Sequence, residues 1–187
     1  MSQTRVLVLV GSLRAGSVNR QLAETAVSGA PAGAEVTIYE GLGELPFYNE
    51  DIDGDAAPAA AQALRSAAGE ADALLLVTPE YNGTIPAVLK NAIDWISRPF
   101  GAGAVKDKPV AVISASPSPN AAVWAHEDTR KAVRIAGGTV VEDVSISIGG
   151  TFDKFGDKHP SENAEVAADV AAVVAGLVAA AGELVSA

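Results

Sequence analysis

Short unbroken apolar runs alternate along this chain with stretches in which apolar residues return every three or four positions. Val6–Val10, Ala73–Val77 and Pro109–Ala115 contain no charged residue, the mark of strands buried on both faces of a parallel sheet. Glu35–Tyr39 alternates as a further strand, and Thr139–Ile148 reads as a fifth. Helical spacing appears between them. Ser17–Ser28 carries Val18, Leu22, Ala23, Ala26 and Val27 on one face, and Pro58–Glu70 is Ala-rich with Leu64 inward. Ile85, Val88, Leu89, Ala92, Ile93 and Ile96 form a third stripe, and Ala121–Ala136 reads as a fourth helix. Val170, Val173, Val174, Leu177, Val178, Ala181 and Leu184 mark the last.

Five strands alternating with five helices predict an α/β, three-layer, doubly wound domain with a five-stranded parallel sheet and right-handed crossovers. No repeat or composition shift marks a linker, so residues 1–187 read as a single domain. Ligands of such sheets sit beyond the carboxyl ends of the strands. Three loops emerge there: Gly11–Ser17, Thr78–Pro86 and Ser114–Asn120.

Composition narrows the chemistry. With 49% hydrophobic residues the chain can build a core, which sets the disordered class aside. It has no Cys, hence no disulfide and no thiolate nucleophile or ligand, and its two histidines are too few for a His-based metal centre. No metal is expected. A net charge of −10 argues against a nucleic-acid partner and requires that any anionic ligand be held by a local device. Met1–Leu9 lacks the features of a signal peptide, and the uncharged Val170–Gly182 is too short and Ala-rich for a membrane span. A soluble, cytoplasmic protein with no membrane partner is the expectation.

Gly11-Ser-Leu-Arg-Ala-Gly-Ser-Val-Asn19 joins the first strand to the first helix. It offers two hydroxyls, a guanidinium, a side-chain amide and the unpaired amides of a helix N-terminus, which with the helix dipole make an anion site. Arg14 adds a planar, permanent charge suited to a phosphate dianion. The loop matches neither G-x-x-x-x-G-K-[ST] nor G-x-G-x-x-G, which disfavours a nucleoside triphosphatase and an ordinary dinucleotide fold. A plain Ser17 N-cap accounts for Ser17 but leaves Ser12, Arg14 and Asn19 in the same turn unexplained. In the second loop, Thr78-Pro-Glu-Tyr-Asn-Gly-Thr-Ile-Pro86, Pro79 and Pro86 stiffen the chain and Gly83 permits close approach of a ligand. An ordinary βα connection with Pro near the helix start is the plainer alternative.

G-S-L-R-x-G-S-x-N followed by T-P-E-Y-N-x-x-x-P-x-x-L-K-N-x-I-D-W resembles the NADPH-dependent FMN reductase family, which includes quinone, chromate and azobenzene reductases. Leu45-Pro-Phe-Tyr-Asn-Glu-Asp51 also resembles that family's loop after the second strand. The resemblance implies a flavodoxin-like fold with strand order 2-1-3-4-5. It implies FMN as cofactor, NADPH or NADH as co-substrate, and a small acceptor such as a quinone, chromate, an azo compound or free flavin. A homodimer or homotetramer is the implied assembly, with Phe47, Tyr48 and Trp124 as candidate interface aromatics or, equally, buried core residues.

By the same resemblance Ser12, Arg14, Ser17, Val18 and Asn19 hold the FMN phosphate and ribityl chain. Pro79, Glu80, Tyr81, Asn82 and Gly83 line one edge of the ring, and Ser114 and Ser116 occupy the third flavin loop. Lys90, Asn91 and Asp94 support the loop and leave the ring untouched. No side-chain acid or base is required, so no catalytic residue is nominated.

The third loop departs from the family pattern. Glycines usual near Ser118, Ala121 and Ala122 are absent from Ser116-Pro-Ser-Pro-Asn-Ala-Ala122, which predicts a stiffer, bulkier loop. His126-Glu127-Asp128 reads as a solvated helix face, and Glu50–Asp55 as a solvated acidic loop without the terminal Glu of a calcium site. A Ser17–His126 hydrolase lacks the G-x-S-x-G signature. The alternative function is a flavodoxin-type electron carrier without direct NAD(P)H oxidation, against which Arg14 in the phosphate loop counts.

Overall fold

Parallel strands β1 (Thr4–Val10), β2 (Ala34–Ile38), β3 (Ala73–Thr78), β4 (Pro109–Ala115) and β5 (Thr139–Ile148) form one sheet in the order β2-β1-β3-β4-β5. The computed structural model describes residues 3–54 and 56–185, with side chains through Glu183. Met1, Asp55 and the Leu184 side chain lie outside the described residues. Helices α1 (Val18–Ser28) and α6 (Ala164–Val185) cover one face, and α2 (Ala59–Glu70), α3 (Ala87–Ile96) and α4 (Val123–Ala136) cover the other. The expected order 2-1-3-4-5 is the observed one, with the switch point between β1 and β3.

The apolar runs divide between the two layers by strand alternation. Val6, Val8 and Val10 face α1 and α6 with Leu75, Val77, Ala111 and Ile113, whereas Leu7, Leu9, Leu74, Leu76, Val110 and Val112 face α2, α3 and α4. Leu9, Leu74, Leu75 and Leu76 are wholly buried, each stabilising the fold by roughly 2 kcal/mol of transfer free energy.

Two elements differ from expectation. A sixth helix, α5 (Thr151–Phe155), follows β5 and is too short for periodicity to reveal. Helix α6 begins before its apolar stripe, where Asn163 Oδ1 accepts the Val166 N–H at 3.2 Å and so caps the first turn. Helix α6 is long and apolar enough by composition to cross a membrane. Here Val166, Val170, Val173, Val174, Leu177 and Ala181 are buried against the sheet layer, while Ala168, Ala172, Ala175 and Ala179 face outward with Glu165 and Asp169.

Candidate functional site

The turn after β1 enters α1 at Ser17, whose backbone is extended as an N-cap requires but whose hydroxyl makes no capping hydrogen bond. Ser17 is nevertheless buried and belongs to the lining of the cavity described below. Asn19, also buried, donates from Nδ2 to the Ala115 carbonyl at 3.1 Å, joining α1 to the end of β4. Its Oδ1 has no hydrogen-bond partner among the described residues. Arg14 is exposed at the rim. Gly11 lets this loop, the second loop and α3 converge, because a Cβ there would lie 3.3 Å from both Leu89 and Pro79.

The second loop closes on itself. Tyr81 and Thr84 exchange backbone hydrogen bonds of 3.2 Å, with Asn82 at φ 52° and Gly83 at φ 74° between them. That is a two-residue hairpin with both central residues left-handed, the geometry that Asn-Gly favours. Asn82 and Gly83 thus form the tip of the turn and stand outside the cavity lining described below, whereas Pro79, Glu80 and Tyr81 belong to it. The Glu80 carboxylate accepts the Trp124 and Ala125 N–H groups at 3.1 Å each.

In the third loop Ala121 (φ 56°) and Ala122 (φ 58°) both adopt the left-handed backbone that glycine takes without strain. The alanines therefore keep a glycine-like conformation at a cost of roughly 1 kcal/mol each. Ser114 is fully buried, and its hydroxyl donates to the Ala121 carbonyl at 3.1 Å and meets Ser147 Oγ at 2.9 Å. It faces the packing between β4, β5 and α4 and does not line the cavity; Ser116 does. His126 also departs from expectation. It is buried, 3.2 Å from Ser114 Oγ, and burial pushes its pKa below the ordinary value, with the Arg130 charge adding and Glu127 opposing. Asp128 accepts a 2.6 Å hydrogen bond from Thr84, so this segment is a packed junction.

These loops surround a cavity of about 330 Å³ at the carboxyl edge of the sheet, within the range of small-ligand sites. Ser12, Arg14, Ser17, Val18, Asn19, Pro79, Glu80, Tyr81 and Ser116 line it, nine of the twelve positions singled out in the sequence. Ala115, Pro117, Thr151 and Phe152 complete it. The last two come from α5, and the Gly149-Gly150 pair directly after a predicted strand was the available signal for that fourth loop. A larger groove of about 900 Å³ runs between α3 and α4, bounded by Ile93, Lys90, Asp94, Lys131 and Ile135, away from the cavity on the helical face.

Lys90 and Asp94 pair with each other on the α3 surface at 2.6 Å. Asn91 supports the loop after β2: its Oδ1 accepts the Tyr48 N–H at 2.8 Å and its Nδ2 donates to Pro46 at 3.0 Å. Trp95 Nε1 also donates to the Pro46 carbonyl at 2.8 Å. Tyr48 packs edge-on against Trp95, whereas Phe47 and Trp124 are exposed. The Asp53 carboxyl is raised by burial, but hydrogen bonds from Arg65, the Gly54 N–H and Tyr48 outweigh that and hold it below the usual range.

The chain is similar to several known proteins. A quinone reductase of Pseudomonas putida is 40% identical over 158 residues, 84% of either chain. A 2-hydroxy-1,4-benzoquinone reductase of a Burkholderia species is 46% identical over 112 residues, 60% of either chain. The solved structure of FerB, a flavoenzyme NAD(P)H:(acceptor) oxidoreductase from Paracoccus denitrificans, superposes with a TM-score of 0.84 at 30% identity, covering 96% of this chain and 98% of that one. The model of NADPH-dependent FMN reductase matches residues 4–153, from the start of β1 into α5 and including every residue that lines the cavity, and the chain belongs to that family.

Proposed function

We propose that the cavity binds FMN and that the protein is an NAD(P)H-dependent reductase whose acceptor is a quinone. The observation that carries this reading is the buried Asn19 Oδ1, an acceptor left unpaired on a residue that lines the cavity. A buried oxygen without a donor costs about 1–3 kcal/mol, which a ribityl hydroxyl would offset. The rest of the lining fits the same molecule. Arg14, the hydroxyls of Ser12 and Ser17 and the α1 amides would hold the phosphate, and Val18 would border the ribityl chain. Pro79, Tyr81, Pro117 and Phe152 supply apolar surface against which the ring would pack. Of the second loop, Pro79, Glu80 and Tyr81 would border the ring edge, while Asn82 and Gly83 shape the turn behind them, and Ser116 borders the third loop. Bound FMN supplies the redox chemistry, accepting two electrons from a nicotinamide and passing them to the acceptor.

Quinone is preferred over chromate, azo compounds and free flavin because the two relatives above carry quinone and benzoquinone reductase in their names. The same reading includes one folding domain, a cytoplasmic setting and a homodimer or homotetramer. For assembly, the α3–α4 groove is the supporting feature. Ile135 and Phe100 stand exposed beside it, and Lys90 and Lys131 alternate with Asp94 and Asp128, a pattern that can pair with itself across a twofold axis.

The test is the visible spectrum of protein loaded with FMN, mixed without oxygen first with NADPH and then with NADH. Bleaching by either nucleotide and recovery on adding benzoquinone is the expected result. FMN uptake without bleaching would transfer the reading to an electron carrier, and no uptake would overturn it.

A further inference from the structure

We infer that Glu80 is a positioning residue that fixes the second loop of the site to the third through the N-terminus of α4, an inference resting on the FMN reading above. The resemblance places Glu80 along the ring edge, yet its carboxylate is engaged elsewhere. One oxygen, Oε2, accepts both the Trp124 and the Ala125 N–H at 3.1 Å. Helix α4 needs that acceptor. The first amides of a helix have no partner within it, and a Ser, Thr, Asp or Asn at the N-cap ordinarily supplies one. Here the N-cap is Ala122, which has no side-chain oxygen. The carboxylate of the βα loop after β3 serves instead, and its charge meets the positive end of the helix dipole.

Two more contacts turn the cap into a clasp. Thr84 donates to Asp128 Oδ2 at 2.6 Å, one turn further along α4. The Trp124 ring lies over Gly83, where a Cβ would stand 3.4 Å from Cε3. Glu80, Gly83 and Thr84 thus each meet α4, and α4 continues directly from the third loop. Pro79, Glu80 and Tyr81 bound the cavity from one side, Ser116 and Pro117 from the other, so the cap sets the separation of the two loops.

A residue that only touched the ring would leave α4 unchanged in protein without FMN. A positioning residue would loosen its first turn there. The experiment measures amide hydrogen exchange at Trp124 and Ala125 in FMN-free protein, and FMN affinity by quenching of flavin fluorescence, for wild type, Glu80→Ala, Glu80→Gln and Glu80→Asp. In Glu80→Ala, exchange at both amides should rise about tenfold, as loss of a helix cap implies, and FMN should bind about tenfold more weakly. Glu80→Gln, whose Oε1 can accept both N–H groups, should recover most of each effect. Glu80→Asp, a methylene short, should fall between and provides the comparison should the alanine variant not fold.

Unchanged exchange in the alanine or aspartate variant would overturn the inference, as would faster exchange with undiminished FMN affinity. A glutamine variant as weak as alanine would also overturn it. Failure of the wild type to take up FMN would overturn the parent reading and this inference together, a result distinct from wild-type uptake with indifferent variants.

Discussion

Nδ1 of His126 lies 3.2 Å from the Ser114 hydroxyl, so the imidazole joins the first turn of α4 to the carboxyl end of β4. Ser147 at the end of β5 stands at the same distance, and it joins the buried Ser114 and His126 in one hydrogen-bonded junction beside the third loop. That junction, more than any residue in contact with the cavity, holds the backbone of Ala121 through its carbonyl.

Burial depresses the His126 pKa from 6.5, and Arg130 depresses it further. A group with a lowered folded-state pKa leaves stability whole above its unfolded value and loses it as pH falls through the folded value. The urea midpoint should therefore hold steady above pH 6.5 and decline below it. His126→Gln should lack that part of the decline, and a variant curve parallel to wild type down to about pH 5 would refute the assignment.

Ser17 occupies an N-cap position without capping the helix. A Ser→Ala change at a working cap costs about 1 kcal/mol, so Ser17→Ala should cost only a few tenths, read as an almost unmoved denaturation midpoint. FMN affinity should fall by about tenfold in the same variant, the loss of one charge-assisted hydrogen bond. A large drop in stability with intact FMN binding would reverse the two roles.

Arg14 is the cation of the loop proposed to hold the phosphate, in a chain of net charge −10. Arg14→Ala should weaken FMN binding by roughly 10- to 100-fold, as loss of hydrogen bonds to a charged group implies. Riboflavin, which lacks the phosphate, should bind both proteins alike. Equal losses for the two flavins would place Arg14 away from the phosphate.

Asn91→Ala removes the acceptor of the Tyr48 N–H and a donor to Pro46. Leaving buried partners unpaired costs about 1–3 kcal/mol, and the thermal midpoint should drop by several degrees. FMN affinity should change little, because Asn91 anchors the loop after β2 and does not line the cavity. A calorimetric midpoint equal to wild type would count against this anchor.

Ala121→Gly should be neutral to stabilising by ~0.5 kcal/mol, since relief of a left-handed alanine outweighs the added backbone entropy of glycine. Destabilisation by more than about 1 kcal/mol on equilibrium unfolding would mean that the methyl packs more than it strains.

The layer order and most element boundaries were legible because burial acts locally on pattern. Val6–Val10 alternates its valines and leucines between two helical layers, and the helical stripe ending at Ile96 can face only one. That the first loop would line a cavity was legible for a similar reason, since Ser12, Arg14, Ser17 and Asn19 are neighbours in one turn. The Asn82-Gly83 hairpin could also have been read from its dipeptide alone.

Other features depended on residues far apart in the chain. His126 reads as one member of a polar helical triplet until β4 and β5 bring Ser114 and Ser147 against it. Glu80 reads as part of a ring-lining loop until Ala122 leaves α4 without a cap of its own. Phe152 has no periodic signal, because a five-residue helix shows none, and only the register of β5 beside β4 carries it to the cavity. Apolar spacing by itself determined the five strands and the long helices between them, since those follow from solvent exclusion along contiguous residues, and the polar residues of the first loop could be read because they are neighbours in one turn. Which polar groups pair, and which are left for a ligand, was decided only by the tertiary structure, because a hydrogen bond depends on positions in space that sequence separation does not constrain.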